Sequence, residues 1–525
     1  MGVFAEERLP AASAKDNGNY SHLWMDVSTA ELARSIGVST TALGINDFFF
    51  AAATHSPFHP LQFGDVMNQR FDAVVVGAGQ AGPALAERLG KSGRKVAVIE
   101  RKLVGGTCVN TGCIPTKAMV ASAYVAQVGR RAESYGVIAD SDVRVDMERV
   151  WKRTQGISGQ SRSNVEKWLA GMTNVSLLRG HARFESPHAL RVGDVLIEAE
   201  EIFLNVGGRA LVPDFPGVDT VPYLTNTGIL ALQELPQHLV IVGGSYIGLE
   251  FGQMFRRFGA EVTIVERSDR LLPREDPQVA AAVVDILQGE GIKLHLSAEC
   301  IELQGNAGDV AVVAKCSNPR MEVRGTHLLL AVGRRPNTDD LGLEKAGVAI
   351  DSRGYIAVDD QCRTNVEGIW ALGDCNGKGA FTHTSYNDYE IVAANVLDNE
   401  PRRISDRITA YSLFIDPPLA RIGLTEQEAL QQGHDVRVGV RPMTRVGRAI
   451  ERGETLGFMK VVVDGKSERL LGAVILGVNG DEAIHSLLDV MYAKAPYRTV
   501  THAVHIHPTV AELLPTTLQS LTPAT

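Results

Sequence analysis

Between Phe71 and Glu100 the apolar positions change rhythm twice. FDAVVV is almost unbroken in hydrophobicity and runs into Gly77-Ala78-Gly79. A short apolar run closed by a glycine turn fits a parallel strand buried on both faces. Ala81 to Gly90 reads as a helix, and KVAVIE as a second strand ending at Glu100. Strand, turn, helix and strand in that order predict a βαβ unit. HLVIVGGSYIGLEFGQMFRRFGAEVTIVE, from His238 to Glu266, has the same order. Beyond residue 405 the pattern loosens. GFMKVVVD and LLGAVILG alternate instead, which predicts an antiparallel sheet with helices, hence an α+β domain. Residues 1–70 follow neither rhythm, carry no cysteine and read as an N-terminal appendage. Within them, TAELARSIGVSTTAL (Thr29 to Leu43) has the spacing of a helix-turn-helix, and Met67 stands where a later translation start would.

The glycines give both βαβ units a ligand class. Gly77, Gly79 and Gly82 form a GxGxxG turn, and Glu100 ends the following strand. The first glycine makes the turn, the second admits a pyrophosphate, and the third lets the helix pack on the sheet with its N-terminus toward the phosphates. The acid suits ribose hydroxyls. In the second unit Gly243, Ser245 and Gly248 fill the same places, and Glu266 is the acid. Glu266 favours a free ribose and so NADH. Arg267, Arg270 and Arg274 follow, and arginine attracts a 2′-phosphate, so NADPH stays open. One chain with two such sites suits a resident FAD and a diffusible NADH or NADPH.

Bulk properties narrow the rest. The 525 residues allow three or four domains of roughly 100–200 residues each. A net charge of −9 disfavours nucleic acid and anionic membrane as partners, which also weighs against the helix-turn-helix reading. No apolar run approaches the roughly 18–20 residues of a membrane span. Six cysteines in such a length are no secreted disulfide framework, so the expected setting is cytoplasmic and reducing, with any disulfide catalytic.

Two of the six cysteines stand together in GGTCVNTGCIPTK, Gly105 to Lys117. Cys108 and Cys113 have C-x4-C spacing. Zinc would need a second close pair, and Cys300, Cys316, Cys362 and Cys375 offer none in sequence. Buried spectators would not need the flanking Gly-Gly-Thr or Pro115. The proline marks a helix start, where a thiol is readily ionised. These residues favour a redox-active disulfide over zinc or spectators.

GGTCVNTGCIPTK resembles the active-site signature of the class I pyridine nucleotide–disulfide oxidoreductases, in their mercuric-reductase-like and dihydrolipoamide-dehydrogenase-like branch. The resemblance runs from about Phe71 to Leu521, with motifs recurring in order: GAGQAG, GGSYIGLE, AVGRRPN (Ala331 to Asn337), GIWALGDC (Gly368 to Cys375) and HIHPTVAELLP (His505 to Pro515). It implies a glutathione-reductase-like α/β fold: two Rossmann-type dinucleotide-binding domains and a C-terminal α+β dimerisation domain. The implied domains are 71–220 and 336–405 for FAD, 221–335 for NAD(P), and 406–525 for the interface.

The resemblance also implies roles. Cys113 would be the thiol against the flavin and Cys108 the interchange thiol. Lys117 would lie near the flavin and pair with Glu250. Gly77, Gly79, Gly82, Glu100, Gly106, Thr107, Gly373 and Asp374 would hold FAD. Gly243, Ser245, Gly248, Glu266, Arg267 and Gly333 would hold NAD(P), with Tyr246 shielding the flavin until the nicotinamide enters. His507, oriented by Glu512, would be the base, acting across a homodimer. His502, His505 and His507 could alternatively bind metal, but no resident metal site is expected. Electrons would pass from NAD(P)H through FAD to Cys108–Cys113 and on to a thiol, disulfide or soft metal ion.

The substrate is less legible. REDP (Arg274 to Pro277) and VGRAIERGETLGFMKV (Val446 to Val461) resemble mercuric-reductase-like flavoproteins, some of which resemble reductases of hypothiocyanous acid. Yet the chain ends TTLQSLTPAT, without the C-terminal cysteine pair of mercuric reductases. Dihydrolipoamide dehydrogenase is the alternative reading, and a non-catalytic flavoprotein regulator a distant one.

Overall fold

The computed structural model describes residues 68–138, 142–316 and 320–524. The helix-turn-helix-like stretch and the Met67 start lie outside them.

The first apolar run becomes the strand Asn68–Val76, at the centre of a seven-stranded sheet. It pairs in parallel with Val96–Glu100 on one side and Val195–Leu204 on the other. Ala73, Val74, Val75 and Val76 are all buried, as a strand covered on both faces requires; the first three have no exposure at all. The helix Ala81–Lys91 connects the first two strands. Ile369–Ala371 returns from late in the chain to pair with Val195–Leu204, so the 336–405 stretch feeds the first sheet. The GIWALGDC motif is thereby delivered beside the first glycine turn.

The second unit forms its own parallel sheet, in the order Lys293–His295, Glu261–Val265, His238–Val242, His327–Leu330. Its helix, Tyr246–Phe258, buries Leu249, Phe251, Met254, Phe255 and Phe258. Each side chain of that size contributes roughly 1.5–3 kcal/mol by leaving water. A three-stranded antiparallel sheet, Ile301–Asn306, Asp309–Ala314 and Met321–Gly325, packs Val310 and Val312 against Val240 and Val242. The C-terminal part is a six-stranded antiparallel sheet in which GFMKVVVD (Phe458–Asp464) lies beside LLGAVIL (Leu470–Leu476). The fold is the glutathione-reductase-like α/β arrangement.

One expectation is corrected here. Cys300 and Cys316 do pair, as a disulfide with 5.5 Å between Cα atoms. Ile301 is opposite Ala314 across the hairpin, so Cys300, just before Ile301, and Cys316, just past Lys315, meet at its open end. A separation of 16 residues hid a cross-strand contact. The bond lies on the second nucleotide fold; Cys108 and Cys113 are both reduced in this structure.

Candidate active site

Both glycine turns end a strand and begin a helix. At Gly82 an added Cβ would fall 2.2 Å from the Gly77 carbonyl oxygen, and at Gly248 2.0 Å from that of Gly243, so only glycine lets either helix approach. Both acids are fixed by backbone amides. Glu100 accepts from Ala78 N at 2.9 Å and Lys102 N at 2.7 Å. Glu266 accepts from Gly244 N at 2.6 Å and Ser268 N at 2.8 Å. Gly79 lies under Gly106, which opens the short helix Gly106–Thr111 containing Thr107 and Cys108. Ser245 is the N-cap residue ahead of Tyr246, Gly333 accepts from Leu211 N at 2.9 Å, and Arg267 is exposed.

Gly373 and Asp374 form a one-turn helix after Ile369–Ala371. Gly373 N donates to buried Asp388 at 2.8 Å. Burial holds the Asp374 carboxyl above its usual pKa, with the Arg334 guanidinium 3.8 Å away. A half-sequestered carboxylate with so distant a cation, next to a cradle that only glycine can line, fits the hydroxyl-rich chain of FAD. Asn205 was not anticipated: its Nδ2 donates to Gly77 O at 3.1 Å and closes the turn from the neighbouring strand.

Cys113 is the first residue of the helix Cys113–Arg130. Its Sγ lies 3.2 Å from Thr382 Oγ1, at the start of the helix Thr382–Ala393. The Cys113 thiol is pushed down, chiefly by the hydrogen bond from Cys108 and also by Thr382 and the Lys117 charge. Cys108 is pushed up, as the partner that keeps its proton and by burial. The two thiols are thus pushed in opposite directions, Cys113 down and Cys108 up. Thr382 also escaped sequence reasoning; its only signal was its place a few residues after GIWALGDC.

Lys117 follows one turn after Cys113. Its Nζ lies 2.8 and 3.0 Å from the Glu250 carboxylate oxygens and 4.4 Å from the Phe414 ring centroid. Glu250, 6% exposed, also accepts from Phe414 N at 2.9 Å. The pair joins the cysteine helix to the second nucleotide helix. Tyr246, at that helix's first position, stands edge-on to Phe381 and Tyr411, with ring centroids 6.1 and 5.6 Å away. Burial pushes its phenol up to about 12.

His507 Nδ1 bonds Glu512 at 2.8 Å, which orients the ring, while the His507 side chain is 80% exposed. Among the described residues, no hydrogen bond or ion pair joins this couple to Cys108 or Cys113 of the same chain. Val504 and Ile506 beside it are fully or largely exposed. Among the described residues no cluster of three or more acids, histidines or cysteines is placed to hold a metal, and no helix is long and apolar enough to cross a membrane.

Comparison with known proteins decides what this arrangement is. Residues 71–388 match the model of the pyridine nucleotide-disulphide oxidoreductases, and residues 409–518 match their dimerisation domain. The chain belongs to this family. It is 37% identical over 453 residues to the "Probable pyridine nucleotide-disulfide oxidoreductase RclA" of Escherichia coli, covering 85% of this chain and 98% of that one. A mercuric reductase of Staphylococcus aureus is 31% identical, covering 83% and 81% of the two chains. A dihydrolipoyl dehydrogenase of Halobacterium salinarum is 36% identical, covering 84% and 94%. The solved structure of a Cu(II) complex of the HOCl-induced flavoprotein disulfide reductase RclA superposes with a TM-score of 0.79, covering 86% of this chain and 99% of that one. As a flavoprotein disulfide reductase, the chain uses FAD and NAD(P)H.

Proposed function

We propose that this enzyme draws electrons from NADH through FAD to Cys108 and Cys113, and that the dithiol reduces a soft metal ion or a small thiol-reactive oxidant. The asymmetry of the two thiols carries the reading. Cys113, at a helix start and beside Thr382 and Lys117, keeps the thiolate. Cys108 keeps its proton and needs a base to attack a substrate.

FAD, when bound, relays two electrons between the nicotinamide and the cysteines. Glu100 would hold its ribose, Asp374 would hold its hydroxyl chain, and Lys117 would supply a cation to its ring. Glu250 keeps Lys117 in place. His507 takes the Cys108 proton and returns one to the leaving group, with Glu512 fixing the ring. The exposure of His507, and its separation from the cysteines of its own chain, support its service to a partner's site in a homodimer. Oxidation of the dithiol releases two electrons and two protons, enough for one disulfide, one mercuric ion to the metal, or two cupric ions to cuprous.

Likeness to RclA along nearly all of that chain favours the metal or oxidant class. Anaerobic stopped-flow with NADH, followed by lipoamide, oxidised glutathione, thiol-complexed mercuric ion, cupric ion and hypothiocyanous acid, tests this. Rapid consumption of NADH by cupric ion or hypothiocyanous acid, with lipoamide inert, is expected. Fast lipoamide turnover would make the enzyme a dihydrolipoyl dehydrogenase instead.

A further inference from the structure

Behind Tyr246 lies a buried ion cluster that the thiol chemistry does not use. Arg421, in the strand Leu419–Gly423 of the C-terminal sheet, is 2% exposed. Its Nε donates to Glu275 Oε2 at 2.6 Å and its Nη2 to Asp276 Oδ2 at 2.9 Å. Both acids belong to REDP, just before the helix Pro277–Gly289 of the second nucleotide fold. Desolvating such charges is costly and contributes little net stability, so the cluster is better read as fixing position. What it fixes is Tyr411, whose hydroxyl donates to Glu275 Oε1 at 2.6 Å.

Tyr411 is held at both ends. Its ring stacks on Phe381 at 5.8 Å and 12°, while Tyr246 meets it edge-on at 85°. The contact of Tyr246 with Tyr411 and Phe381 is therefore made against rings that cannot yield.

We propose that Tyr411 is a positioning residue for pyridine-nucleotide entry: it latches Tyr246 closed, and the Glu275–Arg421 pair keeps the latch rigid. This rests on the reading of Tyr246 as the ring that occupies the nicotinamide's place. An edge-to-face aromatic pair shifts an open–closed equilibrium roughly two- to tenfold. The nucleotide must displace Tyr246, so its apparent affinity falls by the same factor.

The test is calorimetric titration of the yellow holoenzyme with NAD⁺, beside steady-state kinetics with NADH. Tyr411→Phe keeps the ring and removes its anchor. It should lower the NAD⁺ Kd and the NADH KM together, roughly two- to tenfold, with the change falling on KM rather than kcat. Tyr246→Ala should tighten binding at least as much, and the double variant no further. Tightening by Tyr246→Ala alone overturns the latch and keeps the gate. No effect from either variant removes the gate reading as well. A Tyr411→Phe effect that persists in the Tyr246→Ala background also overturns the latch, because Tyr411 would then act elsewhere. Should Tyr411→Phe fail to fold, Phe381→Leu removes the stacking face with the ion cluster intact and must shift the Kd the same way; an unchanged Kd overturns the proposal.

Discussion

The two nucleotide cradles are built alike and finished differently. In each, a glycine-only contact seats the helix, and the acid at the end of the second strand is held by two backbone amides. In the first, Gly105 N bonds Ala78 O at 2.7 Å and the helix Gly106–Thr111 covers the turn, leaving Glu100 buried. In the second, the returning chain makes a longer bond, Leu272 N to Gly244 O at 3.3 Å. Glu266 there is only half-buried, and Arg267 beside it is exposed. Under the proposed assignment, the resident group would lie in the cradle with a lid built over it and the visiting one in the cradle finished by the longer bond. The lid of the first cradle carries Cys108, and the helix after it carries Cys113.

The sharpest break in the comparison is steric. Gly82→Val should yield protein without flavin, seen as loss of visible absorbance. Gly248→Val should stay yellow but lose most reduction by NADH, since overpacking against backbone costs about 1–3 kcal/mol or more. Equal loss of flavin from both would erase the distinction.

Joining the cradles comes next. Lys117→Met leaves Glu250 buried and unpaired, at a cost of about 3–5 kcal/mol in chemical unfolding. Lys117→Met with Glu250→Leu should recover much of it.

The second fold carries the Cys300–Cys316 disulfide. In the same unfolding assay Cys300→Ser should lose about 3 kcal/mol of stability, the value for a loop of this length, and leave the flavin spectrum unchanged.

The smallest effect concerns the visitor. If Glu266 faces the nucleotide ribose, as its place in the fingerprint implies, it would repel a 2′-phosphate, and kcat/KM should favour NADH. Glu266→Ala should reduce that preference by about tenfold, roughly the worth of one charge-assisted contact. A wild-type preference for NADPH would contradict this.

Local signals made the frame of this molecule readable. Each fingerprint lies within one βαβ unit, and Cys108 and Cys113 lie close together on consecutive helices. Residues from distant segments were not readable. Asn205 reaches Gly77 across 128 residues, and Thr382 reaches Cys113 across 269. Tyr411 meets Glu275 across 136, although REDP had already drawn attention as a motif. Cys300 and Cys316 were hidden by strand register. None of these contacts has a sequence period, because sheet order and domain packing create them.

The most direct test of the account is a pH titration of anaerobically NADH-reduced enzyme, following long-wavelength thiolate–flavin absorbance. Cys113 is held down to about 6, so its thiolate persists above that pH and is lost below it. The account predicts a band that fades as pH falls through about 6, survives Cys108→Ser and vanishes in Cys113→Ser. A band that persists in Cys113→Ser, or requires Cys108 instead, would contradict it.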